Sequence, residues 1–192
     1  MLSNTPTQFE SQRLILRCYQ PGDGPMYYTV GQANLAHLQR YESGNIILTA
    51  KNEVEAELLV QELAADWAAR KSFFLGAFDK ASLTFVAQIY VGVVSWETPE
   101  FEIGFFVDQR HEGQGFVTEA VKATLAFIFE HLQARRVSLR CDETNTRSWR
   151  VAERCGFTRE AHWREDKRNP DGTFSSTFCY GLLRGEYVDH PA

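Results

Sequence analysis

The stretch from Phe101 to Ala120 constrains this chain more than any other. Residues 101–107 (Phe101, Ile103, Phe105, Phe106 and Val107 among them) read as a strand that ends where the glycines begin. Gly113 and Gly115 follow, one residue apart. A helix starts at once at Phe116, with Val117, Val121, Leu125, Ile128 and Leu132 at the three-four spacing of a buried stripe out to residue 132. Glycines at such a junction let backbone amides approach a ligand without a Cβ in the way, and the first helical N–H groups have no acceptor of their own. The combination makes an anion site suited to a phosphate or diphosphate. The two glycines alone would equally serve an ordinary turn into a helix, so the reading depends on what surrounds them.

Two nucleotide-binding patterns fail on these residues. A Walker A loop needs Lys and Ser/Thr directly after its last glycine, and Phe116 and Val117 stand there. A dinucleotide fingerprint needs a third glycine or alanine three positions on, where Thr118 stands, and no early βαβ unit surrounds the loop.

The rest of the chain alternates strands and helices in one unit. A first strand is expected over 13–17, a turn over 21–25, and short helices over 26–31 and 35–40. A long helix is expected over 52–70, with Val54, Leu58, Val60, Leu63 and Trp67 as its apolar face and acidic residues in its first turns. Strands follow over 72–78 and 83–91, continuing through 93–96. Beyond the glycine loop come a strand over 136–141, a helix over 148–154 ended by Gly156, and a hairpin pairing 162–169 with 177–183 around Asn169-Pro170-Asp171-Gly172. This order fits an α/β (α+β) domain: one central, mainly antiparallel mixed sheet with helices on both faces. The 192 residues suffice for one domain with its own core and leave no linker to divide them.

Charge and cysteine usage narrow the function classes. A net charge of -5 argues against a nucleic-acid-binding surface. Cys18, Cys141, Cys155 and Cys179 are scattered, with no zinc spacing among them, so no metal is expected and the thiols read as small buried hydrophobes in a reducing compartment. No segment approaches the run of about eighteen apolar residues that spans a membrane, and residues 1–10 lack a signal peptide's apolar core. A cytoplasmic protein with neither nucleic acid nor membrane as partner is expected.

The glycine loop resembles the Arg/Gln-x-x-Gly-x-Gly/Ala loop of the GNAT acetyltransferase superfamily: Arg110, Gly113 and Gly115 match it in full. Asn145 and Ser148, followed by Gly156-Phe157, are similar to the Asn-x-x-Ser and Gly-Phe features of the next strand–helix unit. Arg13-Leu14-Ile15-Leu16-Arg17 resembles the N-terminal strand of the Rim-type branch, the ribosomal-protein N-terminal acetyltransferases. The likeness runs from about residue 9 to 187, and it implies a sheet splayed at the cofactor site. It further implies acetyl-CoA as co-substrate. Backbone groups of Phe106 and Val107 would hold the pantetheine arm, and the amides of Arg110, Gly113, Gln114, Gly115 and Phe116 with the Thr118 hydroxyl would hold the pyrophosphate. Asn145 would fix the loop, and one of Arg147, Arg150 and Arg154 would reach the 3′-phosphate. A homodimer is compatible with this branch, though no periodic apolar strip in the sequence demands one.

Acetyl transfer needs a deprotonated amine, whose reference pKa is about 8 for an α-amine and about 10.4 for lysine, and a proton for the departing thiolate. The resemblance offers Glu102 as base; a surface strand glutamate is the structural alternative. The tyrosine many members use as acid is absent, Ala152 standing in its place, and the Rim-type serine falls on Ser148. Without the family, Ser148 reads as a helix N-cap, with Tyr180 as a more distant acid. His111 reads as a solvent-facing loop residue. The expected acceptor is a protein or peptide N-terminal α-amine. A small amine (polyamine, aminoglycoside or amino acid) is the alternative, and a non-catalytic coenzyme A-binding module is the rival of a different class.

Overall fold

The computed structural model describes residues 5–169 and 171–188. Eight strands form one sheet in the order β1-β2-β3-β4-β5-β6-β8-β7: β1 Gln8–Glu10, β2 Leu14–Cys18, β3 Ser72–Asp79, β4 Phe85–Ser95, β5 Glu100–Val107, β6 Arg136–Asp142, β7 Thr158–Arg168 and β8 Phe174–Leu183. Every neighbouring pair is antiparallel except β5 and β6. That parallel pair is joined by the helix that follows the glycine loop, as a crossover requires.

The period-two alternation of the central strands sorts their side chains to two faces. Phe73, Leu75, Ile89, Val91, Phe101 and Ile103 pack with Val121, Leu125 and Ile128 of α4 (Phe116–Ala126) and its continuation, and α5 (Thr146–Arg154) lies on this side. Phe78, Phe85 and Phe106 face the other way, toward α1 (Gly24–Ala33), α2 (Leu35–Tyr41) and α3 (Glu53–Ala68). Burial of each large apolar side chain contributes about 2 kcal/mol, so both helical layers are held chiefly by the sheet between them.

Three expectations need correction. In α3, Val54 and Leu58 are 72% and 62% exposed, and Ala56, Val60, Leu63 and Trp67 make the buried stripe. Counting only large apolar residues missed Ala56, which is fully buried. The helix from Phe116 does not stay α-helical to Leu132. It widens into a π-turn over Phe127–His131, closed by Leu132 N–H donating to the Phe127 carbonyl at 3.3 Å. Phe127, Ile128 and Phe129 are all buried there: Phe127 stacks on Phe9, and Phe129 on Tyr187. Finally, β1 had no forecast, being three residues in a polar segment, and β7 starts at Thr158 instead of residue 162. Strand β7 is an edge covered with charged side chains, which discourages pairing with another chain. Of the expected turn beyond it, Pro170 lies outside the described residues.

Among the described residues, no helix is long and apolar enough to cross a membrane.

Candidate active site

The decisive feature of the sheet is where β5 parts from β6. Pairing covers only Glu100, Phe101 and Glu102 against Arg136, Val137 and Ser138. From Ile103 to Val107 the β6-facing edge of β5 has no partner strand, while its other edge stays paired to β4 as far as Val107 opposite Ala87. A cavity of about 200 Å3 fills this fork, lined by Gly104, Phe105, Cys141, Asn145 and Ser148 among others. An extended ligand arm laid there would pair as an added strand with the backbone groups of Phe105 and Val107, which face the open edge. Phe106, expected to share that role, has the parity of Asp108, whose N–H donates to the Val86 carbonyl, and so faces β4.

At the mouth of the fork, the glycine loop has its backbone amides divided between two uses. Asp108, whose side chain is fully buried, accepts from the Arg110 amide at 3.0 Å and grips its guanidinium, Nη2 to Oδ2 being 2.5 Å. The amides of His111 and Glu112 donate to the carbonyls of Asp108 and Gln109. Arg110 thus serves the loop from within. The amides of Gly113, Gln114, Gly115 and Phe116 find no acceptor among the described residues. Gly113 and Gly115 have φ of +72° and +79°, which L side chains rarely adopt. Four unpaired N–H groups at the start of an eleven-residue helix make a cradle of donors that could hold an anion such as a pyrophosphate. Thr118 follows in the first turn, half-buried.

The cradle is held from three sides. The Asn34 carbonyl oxygen, on a fully buried side chain, accepts from the Gln109 amide at 2.9 Å. Arg13 donates to the Gln114 carbonyl at 3.1 Å and lies over the Phe116 ring. Glu119 in the first turn of α4 accepts from the Ser11 hydroxyl and from the Arg13 amide, both at 2.7 Å, and from the Arg13 guanidinium at 2.6 Å. Burial alone would raise the Asp108 and Glu119 carboxyls, but these donors outweigh it and hold both below their usual range. A carboxyl depressed in the folded state stabilises it above the unfolded value of about 4, and that stability is lost as pH falls through the folded value. Asp108→Ala and Glu119→Ala are each expected to cost about 2 kcal/mol at pH 7 and to flatten the acid side of the melting-temperature profile. Calorimetric scans from pH 7 down to acid check this.

Asn145 is the N-cap of α5, its side-chain oxygen accepting from the Ser148 amide at 3.2 Å. The capping alternative for Ser148 therefore belongs to Asn145, and the Ser148 hydroxyl is left facing the fork, beside Cys141. Burial pushes the Cys141 thiol up to about 11, with Ser148 partly opposing the shift. Helix α5 ends as its sequence demands: Gly156 at φ +86° and Phe157 N–H donating to the Ala152 carbonyl.

Other expected residues lie elsewhere. The Glu102 carboxylate accepts from Arg140 at 2.6 Å and lines neither the fork nor the neighbouring cavity described below. Tyr180 is buried and donates to Glu153 at 3.3 Å, away from the fork. Arg147 pairs with Glu112 of the loop, and Arg150 lies 5.4 Å from the Trp149 ring. His111 is half-buried with its Nδ1 enclosed and its ring edge-on to Phe116, so it is not solvent-facing. Asp108, Asn34 and Glu119 escaped sequence reading because each acts on backbone or on a distant strand. Only the adjacency of Asp108 to the loop offered a hint.

The model of the acetyltransferase (GNAT) domain family matches residues 13–158. The chain belongs to the GNAT family. The Bacillus subtilis (strain 168) protein YdaF, provisionally named a ribosomal N-acetyltransferase, is 24% identical over 182 residues, covering 92% of this chain and 94% of that one. The ribosomal-protein-serine acetyltransferase of Escherichia coli (strain K12) is 31% identical over 88 residues, 43% of this chain and 49% of that one. Among solved structures, RimL, a ribosomal L7/L12 α-N-protein acetyltransferase in complex with coenzyme A, superposes with a TM-score of 0.81 at 19% identity, over 96% of this chain and 98% of that one. As a GNAT member, this chain is an acetyl-CoA-dependent N-acetyltransferase, and its single mixed α/β sheet, split between β5 and β6, is the fold expected from the sequence.

Proposed function

We propose that this enzyme acetylates the α-amine of a protein or peptide N-terminus by direct attack within a ternary complex. The carrying observation is the fork between β5 and β6, which runs from the glycine cradle past Ser148 and meets a second cavity. That cavity, about 420 Å3, is lined by Phe74, Tyr90, Phe105 and Phe106, with Glu62 and Asp66 on its α3 side. Its aromatic walls and acidic side suit a cationic amine entering from the face opposite α4. The names of the relatives support an N-terminal acceptor.

In this reading the amides of Gly113, Gln114, Gly115 and Phe116, with the Thr118 hydroxyl, hold the pyrophosphate. The backbone of Val107, with that of Phe105 before it, holds the pantetheine arm, and Arg110 shapes the loop through Asp108. Asn145 fixes the wall of the fork. Acetyl-CoA supplies an activated acetyl thioester. Ser148 delivers a proton to the leaving sulfur, and a carboxylate, Glu102 being the one the family likeness points to, draws a proton from the amine.

The acidic lining of the larger cavity also favours a second reading, a small polyamine as acceptor. To decide, peptides with a free N-terminal serine or alanine, their α-blocked forms carrying lysine, and putrescine are incubated with acetyl-CoA. Products are then mapped by mass spectrometry. Acetylation on the α-amine alone is expected. Modification only of putrescine would replace the protein acceptor with the small amine.

A further inference from the structure

We propose that Glu42, at the end of α2, is the general base that takes the proton from the acceptor amine. This rests on the acetyltransferase reading but not on which amine is accepted.

The two cavities share three lining residues, Glu42, Gly104 and Phe105. One cavity holds Asn145 and Ser148, and the other is the aromatic chamber that suits the acceptor. An amine reaching the fork from the chamber passes Glu42, which lines both cavities. A base at this crossing meets the proton before the nitrogen meets the acetyl group.

The carboxylate is also oriented. Asn45 donates its side-chain amide to Glu42 Oε2 at 2.9 Å. Asn45 is itself fixed, its Oδ1 accepting from the Ile47 amide at 3.2 Å and from Gln88 Nε2 at 3.4 Å. Gln88, 2% exposed, accepts in turn from the Tyr19 hydroxyl at 2.9 Å. This chain of donors ends on one carboxylate oxygen. The other oxygen has no partner among the described residues.

The surroundings set its basicity. Across the aromatic chamber stand Glu62 and Asp66 of α3 and Tyr90 of β4. Across the fork stand Tyr41, Arg140, Cys141 and Asp142. None of these makes a hydrogen bond or ion pair to Glu42, and Asp66 is occupied by Lys71 at 3.6 Å. Burial is the dominant influence, raising the Glu42 carboxyl to about 7, with the Asn45 donation opposing it. A base poised near neutrality is matched to an α-amine, whereas the Glu102 carboxylate is committed to Arg140 on the sheet surface.

The proton balance closes. The ammonium gives one proton to Glu42, which returns it to solvent. As the C–N bond forms and the C–S bond breaks, a second amine proton reaches the departing thiolate by way of Ser148. The products are the amide, free coenzyme A and one proton in solution.

The sign of the stability linkage gives a readout that a structural role would not share. A carboxyl raised in the folded state destabilises it as pH climbs from the unfolded value, about 4.3, to the folded value near 7; above that the cost is constant. Glu42→Gln removes the ionisation, so the variant is expected to melt above the wild type at pH 8 and level with it at pH 4.

The test compares wild type, Glu42→Gln and Glu102→Gln on N-terminal serine and alanine peptides and on putrescine. Glu42→Gln is expected to lose about a hundredfold or more in kcat with every amine the wild type accepts. Its KM for acetyl-CoA should be unchanged, and the acid limb of kcat/KM near pH 7 should disappear. A Glu42→Gln enzyme within threefold of wild-type kcat, or one whose rate and stability fall together, would overturn the proposal. So would loss of the acid limb in Glu102→Gln alone. Failure of the peptides with putrescine still turned over would sink the N-terminal acceptor and leave Glu42 standing. Carbon-13 NMR of the Glu42 carboxyl with acetyl-CoA bound supplies a measurement independent of turnover: a midpoint near 7 is expected, and one in the ordinary carboxylate range overturns the assignment.

Discussion

Replacing Ser148 with alanine is expected to lower kcat by about a hundredfold while leaving acetyl-CoA affinity and melting temperature close to those of the wild type. The separation follows from the start of α5. Asn145, not Ser148, satisfies the exposed amides there, through its bond to the Ser148 backbone N–H. Losing the hydroxyl therefore removes no cap, and its effect on stability should stay within about 0.5 kcal/mol. What is lost is an O–H lining the fork where the sulfur must be protonated. Ala152 stands where the family likeness points to a tyrosine and Tyr180 is engaged by Glu153, so Tyr41, on the opposite wall of the fork, is the phenol left to compete with Ser148, and a Tyr41→Phe, Ser148→Ala double variant separates the two. Steady-state kinetics beside a thermal melt check this. A fall in stability matching the fall in rate would return Ser148 to a structural role. Raising the pH should not rescue the variant, because the proton is delivered at a fixed position.

The second large effect is expected at the cradle. Gly113→Val forces a β-branched residue to φ near +72°, at a cost of about 1–2 kcal/mol. No atom lies within 4 Å of where the new Cβ would sit, so the strain is conformational and not a clash. The loop relieves it by rotating, and the amides of Gly113 to Phe116 cease to converge. Acetyl-CoA affinity is expected to drop at least about tenfold, with the core of α4 against β2, β4 and β5 intact. Gly113→Asn is the informative partner, because asparagine tolerates the left-handed region and should retain most of the affinity. Calorimetric titration with coenzyme A distinguishes the two. Equal weakening by both variants would mean that crowding, not backbone conformation, governs the site.

Much of this site could be read before any coordinates, and the reason lies in what each residue does locally. Gly113, Gly115 and Gly156 are required by backbone conformation, which leaves a mark at a fixed place in sequence. Asn145 and Ser148 stand at a helix start for the same reason. Residues that work across long separations leave no such mark. Glu119 meets Ser11 and Arg13 from more than a hundred residues away. Asn34 receives the Gln109 amide across 75 residues. Glu42 is a single acidic residue after a short helix, and nothing in its neighbours predicts its half-buried place between two cavities. Arg110 illustrates the intermediate case: its place in the loop was evident, whereas its commitment to Asp108 depends on a side chain turned wholly inward. In the same way Val54 and Leu58 satisfied the expected helical spacing, and only packing showed that Ala56 occupies the face they were given.

The central claim is that the glycine cradle, the fork and the residues around it form a working acetyl-transfer site. It is tested most directly by continuous measurement of free coenzyme A thiol released from acetyl-CoA by the wild-type enzyme, with and without a panel of N-terminal peptides and small amines. Release that rises and saturates with at least one amine, and falls by about two orders of magnitude in Ser148→Ala, is the predicted result. Tight coenzyme A binding with no amine-dependent thiol release from any member of the panel would contradict it, leaving a fold that binds the donor without using it.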